Sequence, residues 1–148
     1  MRNATIALCV LAAAAATGVP SAAHEHATGI VKERMDAMTL IDKRTKAILQ
    51  RIKGKRDLAS IKADAEVIAS HAGHITHLFP AGSMQSPTRA RAAIWQNWPD
   101  FERKAHDLED SSRALAATNA SDAAALGAAA AKLTATCDAC HDKYRARH

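Results

Sequence analysis

The segment SDAAALGAAAAKLTATCDACHDKYR, residues 121–145, carries the clearest helical pattern in this chain. Its candidate inward positions recur every three or four residues, at Leu126, Ala130, Leu133, Cys137, Cys140 and Tyr144. This spacing lines up side chains along one face of an α-helix, and the many intervening alanines are strong helix formers. Ser121 is a suitable N-cap residue. We therefore predict a long helix that starts after Ser121 and buries this face.

Three earlier segments repeat this periodicity and predict three further helices. They are residues 28–52, closed by Gly54, residues 57–79, ended by Pro80, and a stretch that begins after Pro99. Four helices that share an apolar period near 3.5 residues favour a bundle with shallow crossing angles. The links between the first two helices and between the last two are short, which indicates antiparallel neighbours. We predict an all-α, up-down-up-down four-helix bundle.

The connection between the second and third predicted helices, residues 80–99, is rich in proline and predicts irregular structure. Within it, residues 89–95 are expected to form a short helical turn with Ile94 and Trp95 facing inward. Connections of this length often cover a functional site.

Composition supports a helical fold, because 36 of the 148 residues are Ala and only five are aromatic, too few for a β-sandwich or barrel. The formal net charge is +5, but the charges are dispersed along the chain. Nucleic acid is therefore not an expected partner.

Residues 1–23 are typical of a cleaved secretory signal peptide. Arg2 supplies the positive start, residues 4–16 are almost wholly apolar, and residues 20–23 provide small side chains for cleavage. The apolar run is shorter than the ~18 residues of a membrane span, so stable membrane insertion is not expected. We predict an exported domain of residues 24–148 in the periplasm.

Cys137-Asp138-Ala139-Cys140-His141 is the spacing of a c-type haem attachment site, in which two thiols bind the haem covalently and the imidazole binds iron. In an oxidising compartment two cysteines could instead form a disulfide. A thioredoxin-like redox pair would need a strand–turn–helix setting, which the pattern lacks. On one helix face the thiols and the imidazole point together, so we predict one covalent haem c.

The antiparallel order predicts what lies opposite His141. The end of the last helix lies beside the start of the first helix and the end of the second, and this region contains Arg34, Met35, Met38, His71, His74 and His77. Met38 is close in height to His141, since helices rise ~1.5 Å per residue. A core residue that fills a gap is the alternative for Met38, and a solvent-facing edge is the alternative for the three histidines.

The export signal, the four helical patterns and a single haem motif near the C-terminus together resemble the cytochrome c prime family, also called class II cytochromes c. The resemblance covers the whole mature chain and includes residues 31–38, the pair Ile94-Trp95 and residues 137–145. It implies that His141 is the proximal iron ligand. It also implies that Arg145 lies near that imidazole.

The resemblance further implies that Arg34 lies near the distal pocket and the haem propionates, and that the residue four positions later faces the iron. High-spin relatives carry an apolar or aromatic residue there and keep a five-coordinate iron, whereas a low-spin branch, the cytochrome c556-like proteins, places a Met there. This chain has Met38.

A Met/His pair gives a six-coordinate iron suited to electron transfer. The expected function is that of a periplasmic mono-haem electron carrier with redox proteins as partners. The alternative is a five-coordinate cytochrome c prime that binds nitric oxide or carbon monoxide. An enzyme is not expected, because no acid–base pair accompanies the motif, and the sequence leaves monomer and homodimer open.

Overall fold

The computed structural model describes residues 26–147, so the predicted signal peptide, residues 1–23, lies outside the described residues. Within that range the chain forms the helices α1 (Gly29–Gly54), α2 (Ser60–Ala72), α3 (Ala93–Gln96), α4 (Trp98–Ala117) and α5 (Ala123–Tyr144), and a 3₁₀ turn at Thr76–Leu78. Strand-like pairing over the same residues is limited to one isolated bridge between Ala90 and Arg145. The predicted all-α four-helix bundle is confirmed, with α1, α2, α4 and α5 as its members.

Each of the four long helices packs on the helices before and after it in the bundle, as an antiparallel up-down-up-down order requires. α2 packs extensively on α4 and on α1, α4 packs on α5, and α1 meets α5 more sparsely. The start of α1 and the end of α5 lie at the same end of the bundle, because both contact the connection between α2 and α3. Arg34 donates to the Ser83 carbonyl at 2.9 Å, and Ala146 donates its backbone N–H to the Arg89 carbonyl at 2.8 Å.

The second predicted helix, residues 57–79, is shorter than its apolar pattern. α2 ends at Ala72, and a 3₁₀ turn follows. Gly73 is the least favourable helix former in this stretch, and a Cβ there would lie 3.2 Å from a Glu109 carboxylate oxygen on α4. Ile75 and Phe79 remain buried beyond the break. Buried apolar residues therefore continue at helical spacing beyond the end of α2, so periodicity alone predicted one continuous helix.

The predicted cap of α5 was wrong by one residue. The Asp122 side chain, not that of Ser121, accepts a hydrogen bond from the Ala125 backbone at 2.9 Å. The Ser121 hydroxyl instead donates to the Asn119 side chain at 2.9 Å, inside the turn. Aspartate is an equally good cap, and its charge also suits the positive end of the helix dipole.

All five aromatic residues form one cluster at the end of the bundle where α5 finishes. Phe101 lies at its centre, with ring centroids 4.9 Å from Phe79, 5.5 Å from Trp98 and 5.4 Å from Tyr144. Trp95 extends the cluster and donates its indole N–H to the Phe79 carbonyl at 3.0 Å. The short helix α3 therefore packs inward as predicted, and the bulky side chains are concentrated beside the cysteine motif.

One buried charge joins α1 to α2. Asp64 is only 4% exposed, and its carboxylate accepts hydrogen bonds from Arg44 at 2.9 Å and from Arg51. A buried carboxylate needs such partners to offset the loss of water.

No helix among the described residues is long and apolar enough to cross a membrane.

Candidate functional site

Cys137 and Cys140 lie half-buried on α5 against the hydrophobic core, and both are free thiols. Burial raises the pKa of the Cys137 thiol and raises that of Cys140 to about 11. Reactive cysteines of redox enzymes show the opposite shift, toward a stabilised thiolate. The two residues are therefore held as protonated thiols, which disfavours a thioredoxin-like pair.

His141 follows Cys137 by one helical turn, so the two side chains leave the same face of α5. His141 as a whole is exposed to solvent. Partial burial of its imidazole still lowers its pKa, and the positive charges of Arg145 and Arg89 lower it further, while the negative charges of Asp138 and Asp142 oppose them. A lowered pKa favours the neutral imidazole, which is the form that binds metals.

Asp42 on α1 lies near α5. Its negative charge adds to the burial and the Asp138 charge that raise the pKa of Cys137, and it opposes the burial that lowers the pKa of Arg145. Met38 lies one turn before Asp42, in the half of α1 that lies beside the end of α5.

Met38 is half-buried and packs against the hydrophobic core. It lies where α1 and α5 meet only sparsely. A long, flexible thioether at this point can either fill space or act as a ligand. Met35, also half-buried, lies nearly one turn earlier on α1.

Arg34 is 4% exposed, and its guanidinium lies 4.2 Å from the centroid of the Phe79 ring. One terminal nitrogen, Nη2, donates to the carbonyl and the hydroxyl of Ser83 at 2.9 and 3.2 Å. Arg34 therefore clamps the connecting segment, a role that the sequence did not indicate. Its Nε is buried without a partner among the described atoms, so one donor remains for an anionic group.

Arg145 follows the last residue of α5 and is exposed. Its backbone N–H donates to the His141 carbonyl at 3.0 Å, and its positive charge contributes to lowering the pKa of His141. Arg145 thus lies one helical turn after His141, and its role beside a bound haem stays a prediction.

Two of the three histidines near the end of α2 fit the solvent-facing alternative. His74 is exposed, with its Nδ1 2.8 Å from the Ser70 carbonyl, and its ring lies 6.1 Å from that of His77, which is also exposed. His71 is half-buried. Over residues 26–147, no group of three or more His, Cys, Asp or Glu side chains is arranged to hold a metal ion.

Sequence reasoning missed Asp100, which ties the start of α4 to the end of α5. Its carboxylate accepts hydrogen bonds from Tyr144 at 2.6 Å, Lys143 at 2.8 Å and Arg103 at 2.5 Å. These bonds hold the pKa of Asp100 well below its usual range. In the sequence this residue resembled an ordinary acidic side chain in a first helical turn.

Asp100→Asn is expected to lower the Tm by a few degrees at pH 7. The folded pKa lies below the unfolded value of ~3.9, so the carboxylate stabilises the fold above that pH and loses this effect as the pH falls below it. Thermal unfolding from pH 7 to pH 2.5 should show that the difference in Tm between the variant and the unmodified protein narrows in acid. Asp110→Asn changes an exposed carboxylate on α4 and should differ little in Tm from the unmodified protein. A Tm difference for Asp100→Asn that is independent of pH would contradict the prediction.

Comparison with known proteins decides the family. Residues 29–145 match the family model described as Cytochrome C′. The chain belongs to the cytochrome c′ family. A curated relative, cytochrome c-556 from Agrobacterium fabrum, is 33% identical over 140 residues, which cover 93% of this chain and 95% of the relative.

Solved cytochromes c′ share the fold. The nitric oxide complex of a cytochrome c prime mutant from Alcaligenes xylosoxidans is 32% identical, with a TM-score of 0.71 over 80% of this chain and 94% of that one. A cytochrome c′ described as having ligand-controlled dimer dissociation is 26% identical, with a TM-score of 0.73 over 80% and 95% of the two chains. Dimer association is thus known among the relatives.

Cytochromes c′ carry covalently bound haem c, and haem c is the cofactor of this chain. The donor set of the structure fits this group. The site offers two protonated thiols one helical turn apart and an imidazole that favours its neutral form. It also offers a thioether on the facing helix and one spare buried donor on Arg34.

Proposed function

We propose that this cytochrome c′ family member is a mono-haem electron-transfer protein, with haem linked to Cys137 and Cys140 and iron bound by His141 and Met38. The observation that supports the proposal is that Met38 packs against the same hydrophobic core cluster as Cys137 and Cys140. Because α1 starts at the end of the bundle where α5 finishes, we expect Met38 near the height of His141.

The chain's own residues have distinct roles in this proposal. The two thioether bonds fix the cofactor to α5, so it cannot dissociate when the oxidation state changes. His141 of α5 and Met38 of α1 would hold the iron through a nitrogen and a sulfur donor, so an added ligand would find no free position. The haem supplies one-electron chemistry, and a Met/His donor pair raises its reduction potential. A saturated site changes little between oxidation states, as rapid electron exchange requires.

The c-556 relative supports the low-spin branch of the family. A second candidate function, binding of nitric oxide or carbon monoxide at a vacant distal position, is supported by the nitric oxide complex of the Alcaligenes relative. In that case Met38 lines the pocket without binding iron.

Visible absorption of the matured holoprotein, ferric and ferrous, with and without carbon monoxide, tests the proposal. We expect narrow, split ferrous bands, a ferric sulfur-to-iron charge-transfer band and no change on addition of carbon monoxide. A broad high-spin spectrum that shifts with carbon monoxide would overturn Met38 ligation and favour the gas-binding function.

The proposal places the mature protein, residues 24–148, in the periplasm after removal of the signal peptide, where it exchanges electrons with periplasmic redox proteins. The predicted signal, residues 1–23, supports this location. The oligomeric alternatives are a monomer and a homodimer.

A further inference from the structure

A shallow depression of about 440 Å³ lies at the end of α5 and is lined by Arg91, Asp142, Arg145, Ala146 and Arg147. It adjoins the proposed haem site, because Asp142 directly follows His141 and the Arg145 backbone N–H donates to the His141 carbonyl at 3.0 Å. Three of its five lining residues are arginines, although the net charge of the chain is only +5. Positive charge is therefore concentrated beside the site.

Backbone pairing holds these arginines in place. The Arg91 N–H donates to the Tyr144 carbonyl at 3.0 Å, and the Ala146 N–H donates to the Arg89 carbonyl at 2.8 Å. The Arg89 guanidinium also donates to the Ala146 carbonyl at 2.7 Å. The depression thus rests on two segments fixed to each other rather than on a loose tail.

The positive charge of the depression is only partly balanced. Asp142 accepts one hydrogen bond from Arg147 at 3.2 Å, and both side chains are largely exposed. The Arg91 and Arg89 side chains donate to the backbone carbonyls of Lys143 at 3.3 Å and Ala146 at 2.7 Å, which carry no net charge. Cations that face one another in this way favour the approach of an anion.

We propose that this arginine depression is the docking surface for carboxylate side chains of an acidic redox partner protein. The inference rests on the proposed electron-transfer function and names the partner class for that site. Guanidinium groups bind carboxylates in a planar, two-point geometry. The large hydrophobic side chains exposed over residues 26–147 are Leu49 and Met84, and neither lines the depression. A concave surface without large apolar side chains suits a protein better than a lipid bilayer.

The test compares two holoprotein variants that each lose two positive charges. Arg91→Gln/Arg147→Gln removes charge from the depression, whereas Lys53→Gln/Arg56→Gln removes exposed charge from the opposite end of α1. α1 has 26 residues, so its ends lie ~39 Å apart at 1.5 Å per residue. At ~0.1 M ionic strength the Debye length is ~10 Å, so only nearby charges act on a reagent at the site.

Stopped-flow oxidation of the reduced protein by ferricyanide supplies the first readout. One electron leaves the protein and reduces ferricyanide to ferrocyanide. We expect the depression variant to react about threefold more slowly than the unmodified protein at this ionic strength, the control to match the unmodified protein, and the difference to vanish at ~1 M salt. With tris(phenanthroline)cobalt(III), a cation, the depression variant should react faster. Equal rates for the two variants would overturn the proposal.

Binding of poly-L-glutamate, measured by NMR titration, supplies a readout independent of electron transfer. The depression variant should bind it at least several-fold more weakly than the control.

Retention on phosphatidylglycerol vesicles that depends on Arg91 and Arg147 would instead indicate a membrane surface and overturn the proposal. A shifted midpoint potential with an unchanged ferricyanide rate would mean that these arginines bind a haem propionate. Carbon monoxide binding by the unmodified protein would overturn the proposed function without affecting the comparison of variants.

Discussion

Met38→Ala is expected to convert the ferric protein from a low-spin to a high-spin spectrum. The substitution removes the sulfur donor and leaves a small side chain opposite His141, so the charge-transfer band of the Met–iron bond should disappear. The ferrous variant should bind carbon monoxide, which the unmodified protein should not. The midpoint potential should fall by on the order of 0.1 V, because a Met ligand favours the reduced iron. Absorption spectra and a redox titration measure all three effects.

Met35→Ala is the matched control, since Met35 is a half-buried methionine on the same helix nearly one turn away. It should leave the spectrum, the potential and the response to carbon monoxide unchanged. An unchanged spectrum in the Met38 variant would contradict ligation by Met38. A histidine from the end of α2, His71 or His74, would then be the next candidate.

Cys137→Ser/Cys140→Ser is expected to abolish covalent attachment of haem. Serine hydroxyls cannot form the thioether bonds, so acid and organic solvent should extract essentially all of the haem from the variant and almost none from the unmodified protein. Each single variant should keep one bond. Extraction followed by mass spectrometry of the protein measures the loss directly.

Ala139→Ser controls for the added hydroxyl, because it changes an exposed residue between the cysteines and keeps both thiols. It should retain its haem through extraction. Covalent haem in the double serine variant would contradict the assignment of these residues. The result does not depend on Met38, so attachment and iron ligation are tested separately.

The spacing of apolar residues predicted the long helices well, because each helix repeats apolar positions every three or four residues along its own sequence. The inward face of α5 was predicted from spacing alone, and Leu126, Leu133 and Tyr144 are indeed buried. The height of Met38 relative to His141 was inferred from helix rise and an antiparallel order, and it stays a prediction. These inferences need only the geometry of one helix and the direction of its neighbour.

Features that depend on contacts distant in sequence were not predicted. The break after Ala72 accompanies a close approach of α2 to Glu109 on α4. Asp64 and Asp100 resembled ordinary surface carboxylates, yet each joins two helices. Their partners lie far along the chain or require a fold to bring them close, so no short window of residues contains the signal.

Sequence alone accounts for the four bundle helices, the buried face of α5 and the grouping of Cys137, Cys140 and His141, because helix geometry places residues three and four apart on one side. The contact of Arg34 with Ser83 comes from tertiary packing. The same packing gathers the arginines at the end of α5. These arrangements arise from the packing of whole helices and their connections, which no local spacing specifies.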